Sequence, residues 1–334
     1  MSVFCNDEAA YRWARRAAVV CLVILALALP FLFSGNRFYA FVLGVIYLYI
    51  LWSSGMNLLS GYTGLMPLMY AGLAGVGAYT TVNLVMKFSV SFWLAMPAGA
   101  LAAAVVGVIL GLPSLRLRGF YFTLSGLVIQ TALTMLFVYI PQLTGGDTGI
   151  SQVPPPMVPL PGGRSFPLAG AWLEESLAIA AVCTVFVVYL VTRSKWGTYL
   201  IAIREDDLLT EGLGIGVTRF RVLAFFISSL FAGVGGAFYA HYTGFVSPRS
   251  FDVLTSLNIW LIVGFGGQGT LLGPVVGTLI LAPIPYLMQE LYLYKDIVYG
   301  SLIVFTTIFL PRGVYGSLVF RRRVDRTARS GARR

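Results

Sequence analysis

The sequence predicts an all-α protein, a polytopic transmembrane bundle of about ten helices with both termini in the cytoplasm. Three observations predict this fold class. The 334 residues are 58% hydrophobic and 11% charged, with a mean hydropathy of +0.83, which is too apolar for a soluble domain. Apolar runs of about 20 residues recur, and each can cross a hydrocarbon core about 30 Å thick. Basic residues gather at the ends of these runs, so the net charge of +10 indicates membrane topology rather than nucleic-acid binding.

The apolar runs are separated by short polar connections. They place the spans at 17–33, 38–58, 66–86, 91–115, 119–140, 173–192, 222–242, 254–272, 274–293 and 297–310. With this topology, 18 of the 23 lysine and arginine residues fall on the cytoplasmic side, as the positive-inside rule requires. The ninth and tenth spans could instead be re-entrant, which leaves eight or nine spans as alternatives.

The domain organisation follows from these spans. Residues 1–16 form a cytoplasmic segment, residues 17–316 the transmembrane domain, and residues 317–334 a basic cytoplasmic tail. The tail either anchors the topology or also binds anionic headgroups of the membrane lipid, at about 1 kcal/mol per basic residue. The segment 141–172 is rich in glycine and proline, and is predicted to be an external loop rather than a domain.

Residues 193–221 form a charged cytoplasmic loop in an otherwise apolar chain. Asp206 or Asp207 is predicted to cap a short helix that ends near Leu213, with Gly212 and Gly214 at its stop. Three leucines would share one face of this helix: Leu208, Leu209 and Leu213. Because the chain offers this face nothing to pack against, the sequence predicts a partner protein in the cytoplasm. The alternative is a structured loop without a partner.

The chemical groups that enzymes and ion-coupled carriers need are scarce. Glu290, near the outer end of its run, is interpreted as the one intramembrane acid, whereas an ion-coupled carrier usually keeps several ionisable groups in its spans. His241 is interpreted as a capped or solvated histidine at a span end. No cluster of acids, histidines and nucleophiles indicates an enzyme, and the three scattered cysteines indicate neither a disulfide nor a metal site.

A nucleotide site is also missing from the sequence. A phosphate-binding loop requires Gly-Lys followed by Ser or Thr, and the residues before Lys87, Lys195 and Lys295 are Met, Ser and Tyr. The sequence therefore predicts a transport subunit that is not an enzyme, with any ATP hydrolysis on another chain.

Two glycine clusters interrupt the spans, one at 55–64 and one at 264–269 followed by Gly273, Pro274 and Gly277. Broken helices at membrane depth are tolerated where they line a cavity, and the N-terminus of a half-helix suits a carboxylate. The clusters occupy roughly corresponding places in the two halves of the chain, which weakly indicates an internal repeat. The alternative is that the glycines only allow helices to pack closely.

An ordered set of motifs gives the chain a family resemblance between about residues 51 and 316. It is similar to the inner-membrane permeases of the branched-chain amino acid ABC importers, specifically the LivM-like branch. The motifs, in order, are Asn57–Leu65, Gly75–Tyr79, Gly119–Leu124, Thr144–Gly149, Ala202–Glu205, Glu211–Ile215, Ala232–Ala237 and Gly264–Gly273.

The resemblance implies an importer for amino acids, most likely branched-chain, that works by alternating access in the bacterial inner membrane. It implies a second related permease as heterodimer partner, two cytoplasmic ABC ATPase subunits that hold ATP and Mg, and a periplasmic substrate-binding protein, with no cofactor or metal in this chain. An importer for urea or short amides is the alternative within this class. A stand-alone ion-coupled carrier or channel is the alternative from another class, and an intramembrane enzyme is a distant third.

The resemblance also implies which residues act. The helix at 204–215 would dock on an ATPase subunit through Arg204, Glu205, Asp206, Asp207, Glu211 and Gly214. The translocation pathway would be lined by Gly61, Tyr62, Thr63, Gly64, Tyr121, Thr123, Gly264, Gly266, Gly267 and Gln268.

Two stretches differ from the family pattern. Residues 66–70 read Met-Pro-Leu-Met-Tyr where relatives tend to carry Ser-Leu-Gly-His, which leaves the pore lining and the substrate open. Leu209, Thr210 and Gly212 replace the usual small residues around Glu211, a change that leaves docking intact but can alter which ATPase fits.

Overall fold

The structure is a computed structural model that describes residues 28–31, 35–117, 119–159, 165–168, 170–287, 300–301, 304 and 313–317. The predicted segment 1–16, most of the first and tenth spans, Glu290 and nearly all of the basic tail lie outside the described residues. The helices are α1 Arg37–Ser60, α2 Tyr70–Phe88, α3 Phe92–Ser114, α4 Phe120–Tyr139, α5 Pro141–Thr144, α6 Ala171–Arg193, α7 Lys195–Glu205, α8 Asp207–Gly212, α9 Val217–Thr243, α10 Val253–Gly266, α11 Gly273–Leu281 and α12 Ile284–Leu287.

The predicted helical bundle is confirmed in its general form. In the described part of the chain, five helices are long and apolar enough to cross a membrane: α1, α3, α4, α6 and α9. The 19-residue α2 packs among them, and α10 and α11 are shorter. The count of about ten spans stays a prediction.

Successive long helices run in opposite directions. At one end of the bundle Lys87, at the end of α2, donates to the carbonyl of Gln142 over 2.5 Å, and the ring of Phe92, at the start of α3, lies 4.7 Å from that of His241, near the end of α9. At the other end α1 stops beside α7. We name this second end the coupling end and the first the opposite end. This alternation agrees with the directions that the basic residues predict.

Small residues allow α2, α3 and α9 to lie in direct contact at the centre. A Cβ on Gly77 would collide with the Cα of Gly233, and one on Gly236 would collide with the carbonyl of Ala74. Such close approach lets van der Waals contact stabilise helices that gain nothing from leaving lipid. Large side chains fill the space around this contact, and the largest buried ones are Tyr70, Phe122, Phe225, Phe238 and Phe251.

The all-α prediction misses two small β ribbons in or next to the predicted external loop. β1 (Ile150–Ser151) pairs antiparallel with β4 (Phe245–Val246), which directly follows α9. β2 (Met157–Pro159) pairs with β3 (Ser165–Pro167). Turns of 3-10 helix at Gly146–Thr148 and Pro248–Phe251 flank these strands. Two-residue pairings leave almost no sequence periodicity, so only the fold reveals them.

Two predicted span boundaries are wrong for identifiable reasons. The third span begins at Tyr70 rather than residue 66, since Pro67 disfavours a helical backbone at Met66. The eighth ends at Gly266 rather than residue 272 because Gly267 takes a φ of +120°. In the ninth, α11 ends at Leu281, just before Pro283, and the predicted end at residue 293 lies outside the described residues.

Candidate functional site

The predicted short helix in the charged loop exists, and Asp206 is its cap. The Asp206 Oδ1 accepts a hydrogen bond of 3.0 Å from the backbone N–H of Leu209, the capping geometry that an aspartate favours. Helix α8 then runs from Asp207 to Gly212, and Gly214 at φ +81° follows it. Helix α7 precedes α8 with only Asp206 between them.

One face of α8 is exposed in the described part of the chain. Leu208, Leu209 and Leu213 are 64%, 65% and 73% exposed, and we name these three residues the docking face. The side chain of Thr210 points the other way and is buried. Glu205, Glu211 and Gly214 are exposed at the rim. Leucines grouped in this way on a six-residue helix indicate a surface that another protein covers.

An ion pair fixes α8 to the bundle. The Arg221 Nη2 on α9 donates to the Asp207 Oδ2 over 2.7 Å, and the two side chains are 10% and 24% exposed. Asp207 therefore faces the bundle, while the docking face points away. Asp206 and Asp207 were predicted as docking residues, and both make bonds inside the chain. Their contact with an ATPase stays a prediction.

The two glycine clusters meet in space although about 210 residues separate them. The Asn57 Nδ2 donates to the carbonyl of Thr270 over 2.9 Å, and the backbone N–H of Gly269 donates to the Asn57 Oδ1 over 3.0 Å. A Cβ on Gly61 would collide with the backbone nitrogen of Gly269. We name residues 57–64 with residues 267–270 the helix-break junction. Sequence analysis missed Asn57 and Thr270 as functional candidates, although an amide in a leucine-rich span was a visible signal.

Arg204 joins the helix-break junction to α7. Its Nη1 donates to the carbonyl of Gly61 over 2.5 Å. The same nitrogen lies 2.6 Å from where a Cβ on Gly269 would stand, and the Arg204 Cγ lies 3.2 Å from where a Cβ on Gly64 would stand. One side chain therefore touches both broken regions. Arg204 was predicted to dock on an ATPase. Its guanidinium bonds within the chain, and its contact with an ATPase stays a prediction.

The N-terminus of the half-helix α2 is already satisfied by side chains. The N–H of Ala71 donates to the Ser256 Oγ over 2.9 Å, and the N–H of Gly72 donates to the Gln130 Oε1 over 2.7 Å. Gln130 is fully buried and also donates to the carbonyl of Phe251. These are the donors that a helix start leaves open. They are held by α4 and α10, so these two N–H groups already have partners within the chain.

The residues predicted to line a pathway lie in different environments. Gly61, Tyr62, Thr63 and Gly267 are buried at the junction, and Gly64 is exposed beside Arg204. Gly266 packs against the backbone of Gly273, as the close-packing alternative requires. Tyr121 is 69% exposed on the outside of α4, and Thr123, Gly264 and Gln268 are half-buried. The divergent residues 67–70 are buried, and a pathway role for any of these residues stays a prediction.

A cavity of about 610 Å³ lies at the opposite end, between α1, α6 and α9. Glu174 and His241 line it and are 4% and 3% exposed. The His241 Nδ1 lies 2.7 Å from the carbonyl oxygen of Pro154. Of the two expected alternatives, a capped or a solvated histidine, the buried ring therefore fits the first. Glu174 is a buried acid in the first turn of α6, which corrects the view that Glu290 is the one acid in a span. No metal-binding group of His, Cys, Asp and Glu occurs among the described residues.

Comparison with known proteins identifies the family. Residues 38–307 match the family described as branched-chain amino acid transport system / permease component. The chain belongs to this family. It is 32% identical over 318 residues to the high-affinity branched-chain amino acid transport system permease protein LivM of Escherichia coli (strain K12), covering 89% of this chain and 74% of the relative. The LivM protein of Salmonella typhimurium is 31% identical over 316 residues, with the same two coverages.

More distant relatives of this permease carry other names. The guanosine ABC transporter permease protein NupQ of Bacillus subtilis (strain 168) is 24% identical over 244 residues, which cover 65% of this chain and 76% of the relative. The resemblance given by the sequence motifs is therefore confirmed.

Proposed function

We propose that this permease is the transmembrane subunit of an ATP-driven importer for branched-chain amino acids in a bacterial inner membrane. It works by alternating access, pairs with a second related permease, and receives substrate from a periplasmic binding protein. Two separate ATPase subunits hydrolyse the ATP. The substrate class rests on the LivM relatives.

The observation that carries the ATPase partnership is the docking face. Three leucines that are each more than 60% exposed project from a helix that is capped by Asp206 and pinned by Arg221. A free loop would lose conformational entropy on binding, whereas this helix is already ordered before a partner arrives. Burial of a leucine contributes about 1.5–3 kcal/mol, so three leucines on a fixed helix can hold a stable contact.

A pull-down from native membranes tests the proposal. The tagged wild type is solubilised in detergent beside Leu209→Arg and Glu211→Arg, and mass spectrometry identifies the proteins that co-purify. The matched control is Leu143→Arg, because Leu143 is 52% exposed and lies at the opposite end. We expect ATPase subunits and a second permease with the wild type and the control. We expect the ATPases to fall about ten-fold or more in the two α8 variants, the loss that removing 1.4 kcal/mol of binding gives.

Uptake into liposomes tests the substrate. The co-purified complex, with ATP supplied on the ATPase side, is expected to import leucine, and isoleucine and valine are expected to compete while urea and guanosine do not. If the wild type purifies alone and moves solute without ATP, it is a stand-alone carrier and the proposal is wrong.

A further inference from the structure

Arg204 lies outside the docking face, on the preceding helix. It is the penultimate residue of α7, three residues before the start of α8 at Asp207. The N–H of Asp206 donates to the carbonyl of Ala202 over 3.0 Å, and that of Thr210 donates to the carbonyl of Asp206 over 3.2 Å. Asp206 therefore ends α7 with its N–H and begins α8 with its carbonyl, so this one residue joins the two helices directly.

The other end of the Arg204 side chain contacts both halves of the permease. Its guanidinium bonds the carbonyl of Gly61, where α1 has just ended, and lies against the backbone of Gly269 between α10 and α11. A hydrogen bond of this kind weakens beyond about 3.2 Å. A shift of the α7–α8 segment by an ångström or more must therefore move the junction or break the bond.

The backbone of the helix-break junction is irregular and depends on glycine. Gly64, Gly267 and Gly269 have φ angles of +73°, +120° and +73°, which glycine adopts without strain. Across the junction, a single amide, Asn57, bonds Gly269 and Thr270. Such a connection can change its geometry without repacking the long helices, which interlock through small residues.

We propose that Arg204 is the positioning residue that transmits movement of α8 to the helix-break junction, rather than a residue that docks on the ATPase. This inference rests on the proposed function, since it assigns a step within ATP-driven transport. A movement that begins at the docking face passes along the α7–α8 backbone to Arg204. The guanidinium then displaces the carbonyl of Gly61 and the backbone of Gly269, which it contacts. The junction is then the moving element at the coupling end.

The test uses the complete importer reconstituted in liposomes, with three variants. Arg204→Met keeps an unbranched stem across Gly64 but has no donor, Arg204→Lys restores a donor, and Arg219→Ala removes another exposed basic side chain at the same end. Bound ATPase, ATP hydrolysis and leucine uptake are measured on equal amounts of permease.

For Arg204→Met we expect bound ATPase and hydrolysis within about two-fold of wild type and leucine uptake per ATP reduced about ten-fold or more. Arg204→Lys should regain part of the uptake, and Arg219→Ala should match wild type. If the methionine variant loses its ATPases, Arg204 is a docking residue and the inference is wrong. If it imports as much leucine per ATP as wild type, the bond to Gly61 transmits nothing and the inference is also wrong.

Hydrogen exchange on the wild-type importer gives a second readout that needs no variant and no substrate. On addition of ATP, peptides over 61–69 and 267–272 should change their exchange together with peptides over 207–212. A change confined to 207–212 contradicts the inference while leaving docking intact. Failure of the proposed function is a distinct result, because then no ATPase co-purifies with the wild type and no ATP-dependent uptake occurs.

Discussion

Arg204, three residues before α8, contacts the helix-break junction, so the chain connects the docking face closely to the junction. The two regions are nevertheless built in opposite ways. The docking face is apolar, exposed and formed by residues that are adjacent in sequence. The junction is polar, largely buried and formed by residues about 210 positions apart. The docking face suits a contact with another protein. The junction suits a connection within the fold, and its loss should lower the stability of the permease.

This difference predicts that substitutions in the two regions have different effects. Side chains of the docking face are mostly exposed, so changes there should weaken binding and largely spare stability. Changes at the junction leave partly buried backbone groups without partners, so they should lower stability and spare docking. Substitutions at three places test this separation, from the largest expected effect to the smallest.

Asn57→Leu should have the largest effect, on stability. Asn57 is 1% exposed, and the substitution removes both bonds to the second break. The N–H of Gly269 and the carbonyl of Thr270 lose a partner at about 1–3 kcal/mol each, so the free energy of unfolding should fall by about 2–4 kcal/mol. The check is thermal unfolding in detergent, with ATPase co-purification measured per folded molecule.

Thr131→Val is the control for Asn57→Leu. The Thr131 hydroxyl is exposed and donates only to the carbonyl of Leu127 in its own helix, so stability should change by less than about 0.5 kcal/mol. An unchanged melting temperature in Asn57→Leu would mean that the amide does not hold the junction together. A loss of ATPase per folded molecule would mean that junction and docking face are not separable.

The Asp207–Arg221 ion pair fixes α8 to α9, so its loss should moderately affect both stability and ATPase co-purification. The pair is 2.7 Å long and mostly shielded from solvent, where a charged hydrogen bond contributes about 1.5–3 kcal/mol. Asp207→Asn and Arg221→Met should each lower the melting temperature and reduce ATPase co-purification several-fold, because α8 is no longer fixed to α9.

A double-mutant cycle isolates this pair. If Asp207 and Arg221 contribute only through their mutual ion pair, the double variant should lose little more stability and ATPase binding than the worse single variant. Fully additive losses would show that the pair does not fix α8, and its part in presenting the docking face would be disproved.

Asp206→Ala should have the smallest effect and act on α8 alone. Loss of an aspartate cap costs about 0.5–2 kcal/mol, and asparagine caps as well as aspartate. Amides of 207–212 should exchange about five-fold faster in Asp206→Ala, the factor that about 1 kcal/mol gives, and at the wild-type rate in Asp206→Asn. Equal exchange in both variants would mean that the Asp206 side chain does not cap α8.

Much of this permease could be predicted from its sequence. The apolar runs predict the long helices within a few residues of their bounds. The Asp206 cap, the leucine face and the glycine breaks are all readable within a dozen residues. Each depends on backbone geometry and side-chain spacing that are local, so the chain around each residue contains the necessary information.

The tertiary structure decided what these elements contact. Sequence spacing placed Arg204 and Asp207 on a short charged stretch with Glu211, and only the fold shows that Arg204 contacts Gly61, that Asp207 pairs with Arg221, and that Glu211 remains exposed. Likewise the sequence locates two breaks, but their meeting through Asn57 depends on how α1 packs against α10 and α11. In a chain where nearly every span is apolar, hydrophobicity places helices in the membrane without choosing their neighbours. Close contact of small residues and a few buried hydrogen bonds make that choice, and they act between residues far apart in sequence.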